Sequence, residues 1–194
     1  MHDGVVEADA EQVAACLRQA RRLDRLVDDL RTLSLAEAGR LRLRLRPTDL
    51  RATLADVAES FGAGEGGLPP VRLGPLPGEP TLADVDVDRI TQVLENLVVN
   101  ARRHDPSAQP VLLDVRRHGG EIRLSVDDAG PGIPEPLRAR VFEPFVGGEE
   151  LGQGSGLGLA VVRTLAVAHG GRAWVETSAR GGTRAVVALP RAGS

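Results

Sequence analysis

The run GQGSGLGLAVV, residues 152–162, most constrains what this chain can fold into. Glycines at every second position from 152 to 158 leave the backbone bare enough to crowd a ligand, and the apolar residues that follow open a helix. A glycine-rich loop must therefore run directly into a helix. Alone, the run fits a dinucleotide fold, a phosphate-binding loop or a plain flexible connector.

An absence narrows these readings. All 24 basic residues are arginine, and no lysine occurs. A P-loop needs Gly-Lys-Ser/Thr, eukaryotic-type protein kinases pair a lysine with the nucleotide phosphates, and Schiff-base enzymes need an amine, so all three fail together. Holding phosphate falls to backbone, amides and arginine. A net charge of −3, with one tryptophan and three phenylalanines as the aromatics, gives neither the electrostatic footprint nor the stacking surface for nucleic acid. The single cysteine, Cys16, excludes an internal disulfide and is expected in the core. No apolar run approaches the roughly 18 residues of a membrane span, and MHDGVVEADAE is not a basic, apolar leader. The chain reads as soluble and cytoplasmic, with a membrane anchor left open for a longer parent protein.

Residues 10–37 carry a helical pattern. Val13, Leu17, Ala20, Leu23, Val27, Leu30 and Leu33 recur at spacings of three and four, Leu26 widens the stripe, and no Gly or Pro falls between Gly4 and Gly39. Such a helix, about 28 residues at roughly 1.5 Å each, is too long for one small domain to cover, so it calls for partner helices and predicts self-association. From Arg40 to Arg46 Leu and Arg alternate strictly, which predicts a strand with one apolar and one solvated face. Pro47 ends it, Thr48 or Asp49 can cap the next helix, and Leu50, Leu54, Val57 and Phe61 give that helix a buried stripe. Residues 62–80 form a Gly- and Pro-rich connector, with Val71–Leu73 its one plausible strand.

Between 86 and 106, Ile90, Val93, Leu94, Leu97 and Val98 mark one helix face, while Asn96 and Asn100 share another, one turn apart. Asparagine is a poor mid-helix residue, so the pair needs a reason. Either the amides bond neighbouring backbone, or they offer oxygen to a hard cation that also holds phosphate. Arg103 and His104 follow within reach of the same ligand. Residues 111–117 and 121–128 alternate and read as a hairpin turning at His118, Gly119 and Gly120. The second strand ends in DDAGPGI, which sets the carboxylate of Asp128 beside Gly130, Gly132 and the apolar Ile133, next to a backbone that a flat ligand can approach. A short helix after Pro134, the FEPF segment at 142–145, a helix from about Leu157 to His169, and a second hairpin turning at Gly181 and Gly182 complete the chain.

In this order the pieces resemble the ATP-binding catalytic domain of bacterial sensor histidine kinases, which shares the Bergerat nucleotide fold with gyrase B and the MutL repair proteins. NLVVNARRH resembles the family's N box, DDAGPGI its first glycine box, FEPF its F box, GQGSGLGL its second glycine box and GGTRAVVALP its C-terminal strand pair. DDLRTLSLAEAGRLRL resembles the second helix of the dimerisation and phosphotransfer hairpin with its link onward, and AHGG at 168–171 matches with His169 in a structural role. The resemblance implies an α+β fold: a two-layer α/β sandwich whose mixed sheet is covered by helices on one face, preceded by one long bundle helix. It divides the chain into a hairpin remnant at 1–38 and an ATP-binding catalytic domain at 39–194.

The same resemblance implies roles. Asp128 would accept from the adenine exocyclic amine, with Gly130, Gly132 and Ile133 letting the base lie against backbone and apolar surface, and Thr183 nearby. Asn100 would hold Mg²⁺ bridging the phosphates, supported by Asn96, and these two are the expected catalytic residues. Arg103 and His104 would contact phosphate or ribose, while Gly154, Ser155, Gly156, Leu157 and Gly158 would wrap the phosphate tail at a helix N-terminus.

Superfamily members that hydrolyse ATP themselves usually place a glutamate where this chain has Asn96, and an amide cannot act as a general base. Glu95 is adjacent but points about 100° round the helix. The resemblance thus implies phosphoryl transfer from ATP to a histidine, with a homodimer through the N-terminal helix of the full-length protein and a cognate response regulator as partners. Two departures stand out. Nothing here resembles the family's His-Glu-Leu-Arg-Thr-Pro acceptor stretch: His2 precedes the long helix, His118 lies in a turn, and His104 and His169 fall on nucleotide-domain positions. The phosphoacceptor is therefore expected on a helix missing from this chain. After the F box, VGGEELGQ carries Glu149 and Glu150 where the family often has a base, and these would oppose a triphosphate if the lid closed. The other readings are a nucleotide-gated binding protein of the anti-sigma serine kinase type, or a nucleotide-binding domain inactive on its own.

Overall fold

The computed structural model describes residues 10–62, 64, 68–107, 109–146 and 155–193. The chain runs α1 (Ala10–Glu37), β1 (Arg46–Asp49), α2 (Leu50–Phe61), β2 (Val71–Leu73), β3 (Leu82–Val85) and α3 (Val87–His104). It continues through β4 (Val111–His118), β5 (Glu121–Asp127), α4 (Glu135–Arg138), α5 (Gly158–Ala168), β6 (Arg172–Thr177) and β7 (Thr183–Pro190). Five strands form one mixed sheet in the order β2-β4-β5-β7-β6, with β2 parallel to β4 and the other pairs antiparallel. A separate antiparallel pair, β1 with β3, leads into α2 and α3.

Period-two alternation decides which face the sheet buries. Val111, Leu113 and Val115 on β4, with Ile122, Leu124 and Val126 on β5, point into the core, and Ala185, Val187 and Leu189 continue it on β7. Against them lie Leu50, Leu54 and Val57 of α2, Leu94, Leu97 and Val98 of α3, and Val161, Val162 and Leu165 of α5. This is the expected sandwich with helices on one face. The opposite face is polar: Arg184 Nε bonds Asp127 Oδ2 at 2.7 Å, and Arg123 and Arg172 lie over the Trp174 ring.

Helix ends follow their caps. Asp49, not Thr48, caps α2, accepting from Arg51 N; the Arg51 side chain holds its carboxyl down to about 2. Asp86 caps α3, and its own N–H donates to His169 Nε2 at 3.1 Å while His169 Nδ1 bonds Leu165 O at 2.7 Å. The ring must therefore carry its proton on Nδ1. Burial keeps it neutral, so His169 pins the end of α5 to the start of α3 as a structural residue.

Several expectations change. Residues 40–45 join no ladder, and only Arg46 of the alternating run enters a strand. Alternation cannot make a strand without a neighbour to pair with; here Arg44 N instead donates to Asp86 Oδ2 at 2.9 Å. The pair β1–β3 went unread because β3 is a strand of only 4 residues, placed between the connector and the α3 cap. His118 ends β4 rather than lying in the turn. Cys16 is exposed, not core. Helix α1 has the expected bounds; Val13, Leu17, Leu23, Val27 and Leu30 of its stripe face solvent, uncovered by the domain, and it meets the domain through Leu26, Asp29, Thr32 and Leu33. Among the described residues, no helix is long and apolar enough to cross a membrane.

Candidate nucleotide site

A cavity of about 480 Å³ opens between α3, the turn after β5, α4, the start of α5 and the middle of α1. Residues far apart in sequence meet there. Asn96, Asn100, Arg103 and His104 come from α3, Asp128, Gly132 and Ile133 from the turn, Ser155, Gly156 and Gly158 from the α5 start, and Thr183 from β7. Gly130 and Leu157 stand behind the wall: Gly130 N donates to Asp128 Oδ1, and Leu157 is buried under the start of α5. Gly154, with Glu149 and Glu150, lies outside the described residues.

One end is organised by Asp128. Its Oδ1 accepts from Gly130 N at 3.0 Å and Thr183 N at 2.9 Å, and its own N–H donates to Thr183 O at 3.0 Å. None of these bonds uses Oδ2, which leaves an acceptor beside the cavity. Burial raises the carboxyl above the ordinary carboxylate range, the Thr183 and Gly130 N–H donors oppose that rise, and Asp105 and Asp127 add to it. Asp105 is the residue that sequence reasoning missed here. Burial disfavours its charge, yet donors on Ser107 and Ala129 outweigh that and hold the carboxyl low, so a firm anion fastens the turn to the end of α3. Its signal was the Asp between His104 and Pro106, in helix C-cap position. Gly182 matches the crowding: a Cβ there would lie 2.3 Å from Asp128 Oδ1 and 2.5 Å from Asp128 O.

The other end is organised by amides. Asn96 Nδ2 donates to Asp29 Oδ1 of α1 and to Gly158 O, each at 3.4 Å. Both partners are acceptors, which fixes the amide flip and leaves the Asn96 oxygen for a cation or donor. Asn100 lies one turn on, in the same wall. Gly156 has φ +67, and a Cβ there would lie 2.7 Å from the Phe145 backbone, whose N–H bonds Gly156 O at 2.9 Å. Phe145 itself is left-handed at φ 67, a conformation costly for a residue with a side chain, and its backbone packs closely on Gly156. Val99, Leu137, Val141, Val146 and Leu159 line the apolar middle. His104 lines the cavity from the last turn of α3, next to Asp105; burial depresses its ring pKa, Arg103 adds to this, and Asp128 opposes it.

Sequence reasoning also missed Arg25, Leu26 and Asp29, which α1 contributes to the same wall. No local pattern could show this, because it depends on where a distant helix docks. For a divalent cation the asparagine wall offers the amide oxygens of Asn96 and Asn100, and no cluster of three His, Cys, Asp or Glu side chains stands ready among the described residues. That suits Mg²⁺, which needs few protein ligands when phosphates supply the rest.

The single helical layer, the mixed sheet and a cavity walled by an asparagine helix, a carboxylate turn and a glycine-opened helix define an ATPase domain of the Bergerat type. Residues 85–193 match the family model described as histidine kinase-, DNA gyrase B-, and HSP90-like ATPase, and the chain belongs to that family. It is 35% identical to the sensor protein DivL of Caulobacter vibrioides over 97% of this chain, and spans 24% of DivL's length. The solved histidine kinase AdeS of Acinetobacter baumannii superposes with a TM-score of 0.76 at 30% identity, covering 98% of this chain and 89% of that one. Full-length ShkA in complex with AMPPNP gives a TM-score of 0.76 at 32% identity, over 97% of this chain and 41% of that one.

Proposed function

We propose that this chain is the ATP-binding catalytic part of a sensor histidine kinase, handing the γ-phosphate of Mg·ATP to a histidine on a dimerisation helix. The observation that carries this is the meeting in one cavity of Asp128, with one oxygen pinned by backbone and the other left over, and the pair Asn96 and Asn100. The AMPPNP bound in ShkA supports a nucleotide as the ligand.

In this reading Asp128 Oδ2 accepts from the adenine amine, and the base lies along Gly132 and Ile133, over Gly130, beside Thr183. Asn100 would hold Mg²⁺ with Asn96 in support, and the charge neutralisation that phosphoryl transfer needs is what the ion would supply there. Arg103 and His104 face phosphate or ribose, and the loop through Gly154, Ser155, Gly156, Leu157 and Gly158 wraps the phosphate tail, favoured by the α5 N-terminus. The 194 residues hold an amide at position 96 where a water-activating base would be needed, so the chemistry is transfer rather than hydrolysis. Residues 1–38 belong to the dimerisation hairpin and 39–194 to the catalytic domain. The exposed stripe of α1, Leu23, Val27 and Leu30 included, suits a homodimer bundle in the cytoplasm, and a response regulator receives the phosphate.

Binding is tested by calorimetry with Mg·AMPPNP. Asp128→Asn should weaken binding at least about 100-fold, because a donor amide replaces an acceptor that the adenine amine needs. Unchanged affinity would sink the assignment. Transfer is tested with labelled ATP: acid-labile phosphohistidine should form on an added chain carrying the first hairpin helix and not on this one. Release of free phosphate at a comparable rate would overturn the kinase reading.

A further inference from the structure

Three successive N–H groups build the turn that presents Asp128. Asp128 N donates to Thr183 O, Gly130 N donates to Asp128 Oδ1, and Ala129 N donates to Asp105 Oδ2 at 3.0 Å. The first two bonds stay within the β5–β7 end of the sheet. The third reaches a different element, the end of α3. The turn also lies directly on that helix: a Cβ on Gly130 would stand 2.6 Å from His104 O and 3.3 Å from Asp105 Cα.

Asp105 is a costly residue for this link. A carboxylate at the C-terminus of a helix faces the negative end of the dipole, Asp105 is only 5% exposed, and its charge is felt by Asp128. An ordinary helix end needs none of this. The bond from Ser107 N to Asp105 Oδ1, at 2.7 Å, closes a local turn that an asparagine would close equally well. What requires the second anionic oxygen is Ala129. Burial opposes the anion, but the Ser107 and Ala129 bonds, and then the charge of Arg180, hold it. Arg180 is itself anchored on Pro110 O and Gln109 Oε1.

From this geometry, and resting on the nucleotide reading above, we propose that Asp105 is a positioning residue of the base site: through Ala129 it locks the Asp128 turn onto α3, so that Oδ2 faces the cavity with a second fixed anion behind it. The helix that carries Asn96 and Asn100 is thereby joined to the turn that receives the base. Asp105 does not line the cavity and acts through Asp128.

The paired anions have a chemical consequence. Asp128 must be ionised to accept from the adenine amine. Burial raises its carboxyl above the ordinary value of 3.8, the Thr183 and Gly130 donors oppose the rise, and Asp105 and then Asp127 add to it. The other charges around it are His104, beside Asp105, and Arg184 on β7, which is paired with Asp127. Binding the base favours the ionised form, so the bound carboxyl titrates lower than the free one. Affinity is therefore full above the free pKa and is lost as the pH falls through it, by up to about tenfold per unit.

Asp105→Asn keeps the Ser107 bond through its amide oxygen, turns an N–H against Ala129 N and removes the charge. Adenosine, titrated by NMR, isolates the base end from phosphate ionisation; His104 titrates in both proteins, so the difference between them reports Asp105. At about pH 8 the variant should bind adenosine at least about tenfold more weakly, the worth of one charge-assisted hydrogen bond. Its acid limb should nevertheless start at lower pH than the parent's, because Asp128 has lost a like-charged neighbour. A purely structural role would lower affinity by one factor at every pH. Equal affinity under the alkaline condition, or an acid limb that does not move, overturns the proposal. Asp105→Ser, which offers Ser107 a hydroxyl and carries no charge, gives the same two readouts if Asp105→Asn does not fold. A parent chain that binds neither adenosine nor Mg·AMPPNP overturns the nucleotide reading instead.

Discussion

At the Asp128 end of the cavity the bonds are short and use backbone on at least one side. At the Asn96 end they are long and join side chains or carbonyls from three separate helices. Oδ1 of Asp128 is held at 2.9 and 3.0 Å by N–H groups of Thr183 and Gly130, and the turn is fastened again by Asp105. Asn96 is held at 3.4 Å by Asp29 and Gly158. Backbone donors in a ladder and its adjoining turn cannot move without breaking the sheet, so the first end is preorganised. The second end draws on three helices, since Asn96 of α3 bonds Asp29 of α1 and Gly158 of α5. Recognition of the base can thus be rigid while the phosphate end responds to the rest of the molecule.

The test with the largest expected effect strikes the rigid end. Gly182→Ala places a Cβ 2.3 Å from Asp128 Oδ1 and 2.7 Å from Gly130 N, where neither backbone nor carboxylate can yield cheaply. Chemical denaturation should show a loss of about 1–3 kcal/mol, as for other overpacked sites. Mg·AMPPNP affinity should drop at least about 100-fold, since each 1.4 kcal/mol of lost contact is tenfold. A variant that keeps its affinity would show that the Asp128 end is more compliant than its bonds suggest.

A smaller effect is expected at the responsive end, and it should depend on phosphate. Gly156→Ala forces a side chain onto a residue at φ +67 and to within 2.7 Å of the Phe145 backbone. Left-handed strain of this kind costs about 1–2 kcal/mol per residue, which is roughly a tenfold loss in affinity if binding needs the present loop geometry. Adenosine, lacking phosphate, should bind the variant and the parent equally. Equal losses for both ligands would erase the distinction between the ends.

The two ends also differed in how far they could be read from sequence. Asp128, Gly130, Gly132 and Thr183 belong to local strand-and-turn patterns, where alternation and glycine placement carry the geometry; Asp128, Gly132 and Thr183 line one cavity and Gly130 stands behind its wall. The asparagine pair was legible because two amides four apart on an apolar helix have few purely structural uses. What stayed hidden was tertiary. The Leu and Arg alternation from 40 to 46 is a perfect local strand signal, but no neighbouring strand pairs with residues 40–45. The stripe of α1 correctly marked a helix and most of it stays exposed, as a face wanting partner helices would; what it did not show is that the domain takes the face bearing Asp29 and Thr32. Polar residues on a docking face carry no periodic signature, which is why α1 was not expected in the cavity wall.

The last and smallest effect concerns His104, which lines the cavity from the last turn of α3 and whose ring can be assigned to one ligand moiety. Burial, and then Arg103, push its ring below the ordinary value of 6.5, with Asp128 pulling the other way, so the free protein holds it neutral near pH 7. If His104 faces phosphate, the bound polyanion favours the charged ring and raises its pKa. Binding then takes up a fraction of a proton, and affinity rises as the pH falls through the bound pKa, levelling off below the free one. Calorimetry with Mg·AMPPNP in two buffers of different ionisation enthalpy measures that uptake directly. Uptake that vanishes when adenosine replaces the analogue assigns His104 to the phosphate end. Proton release, or the same small uptake with both ligands, would assign the ring to the base and ribose, with the rigid end that already includes the neighbouring Asp105.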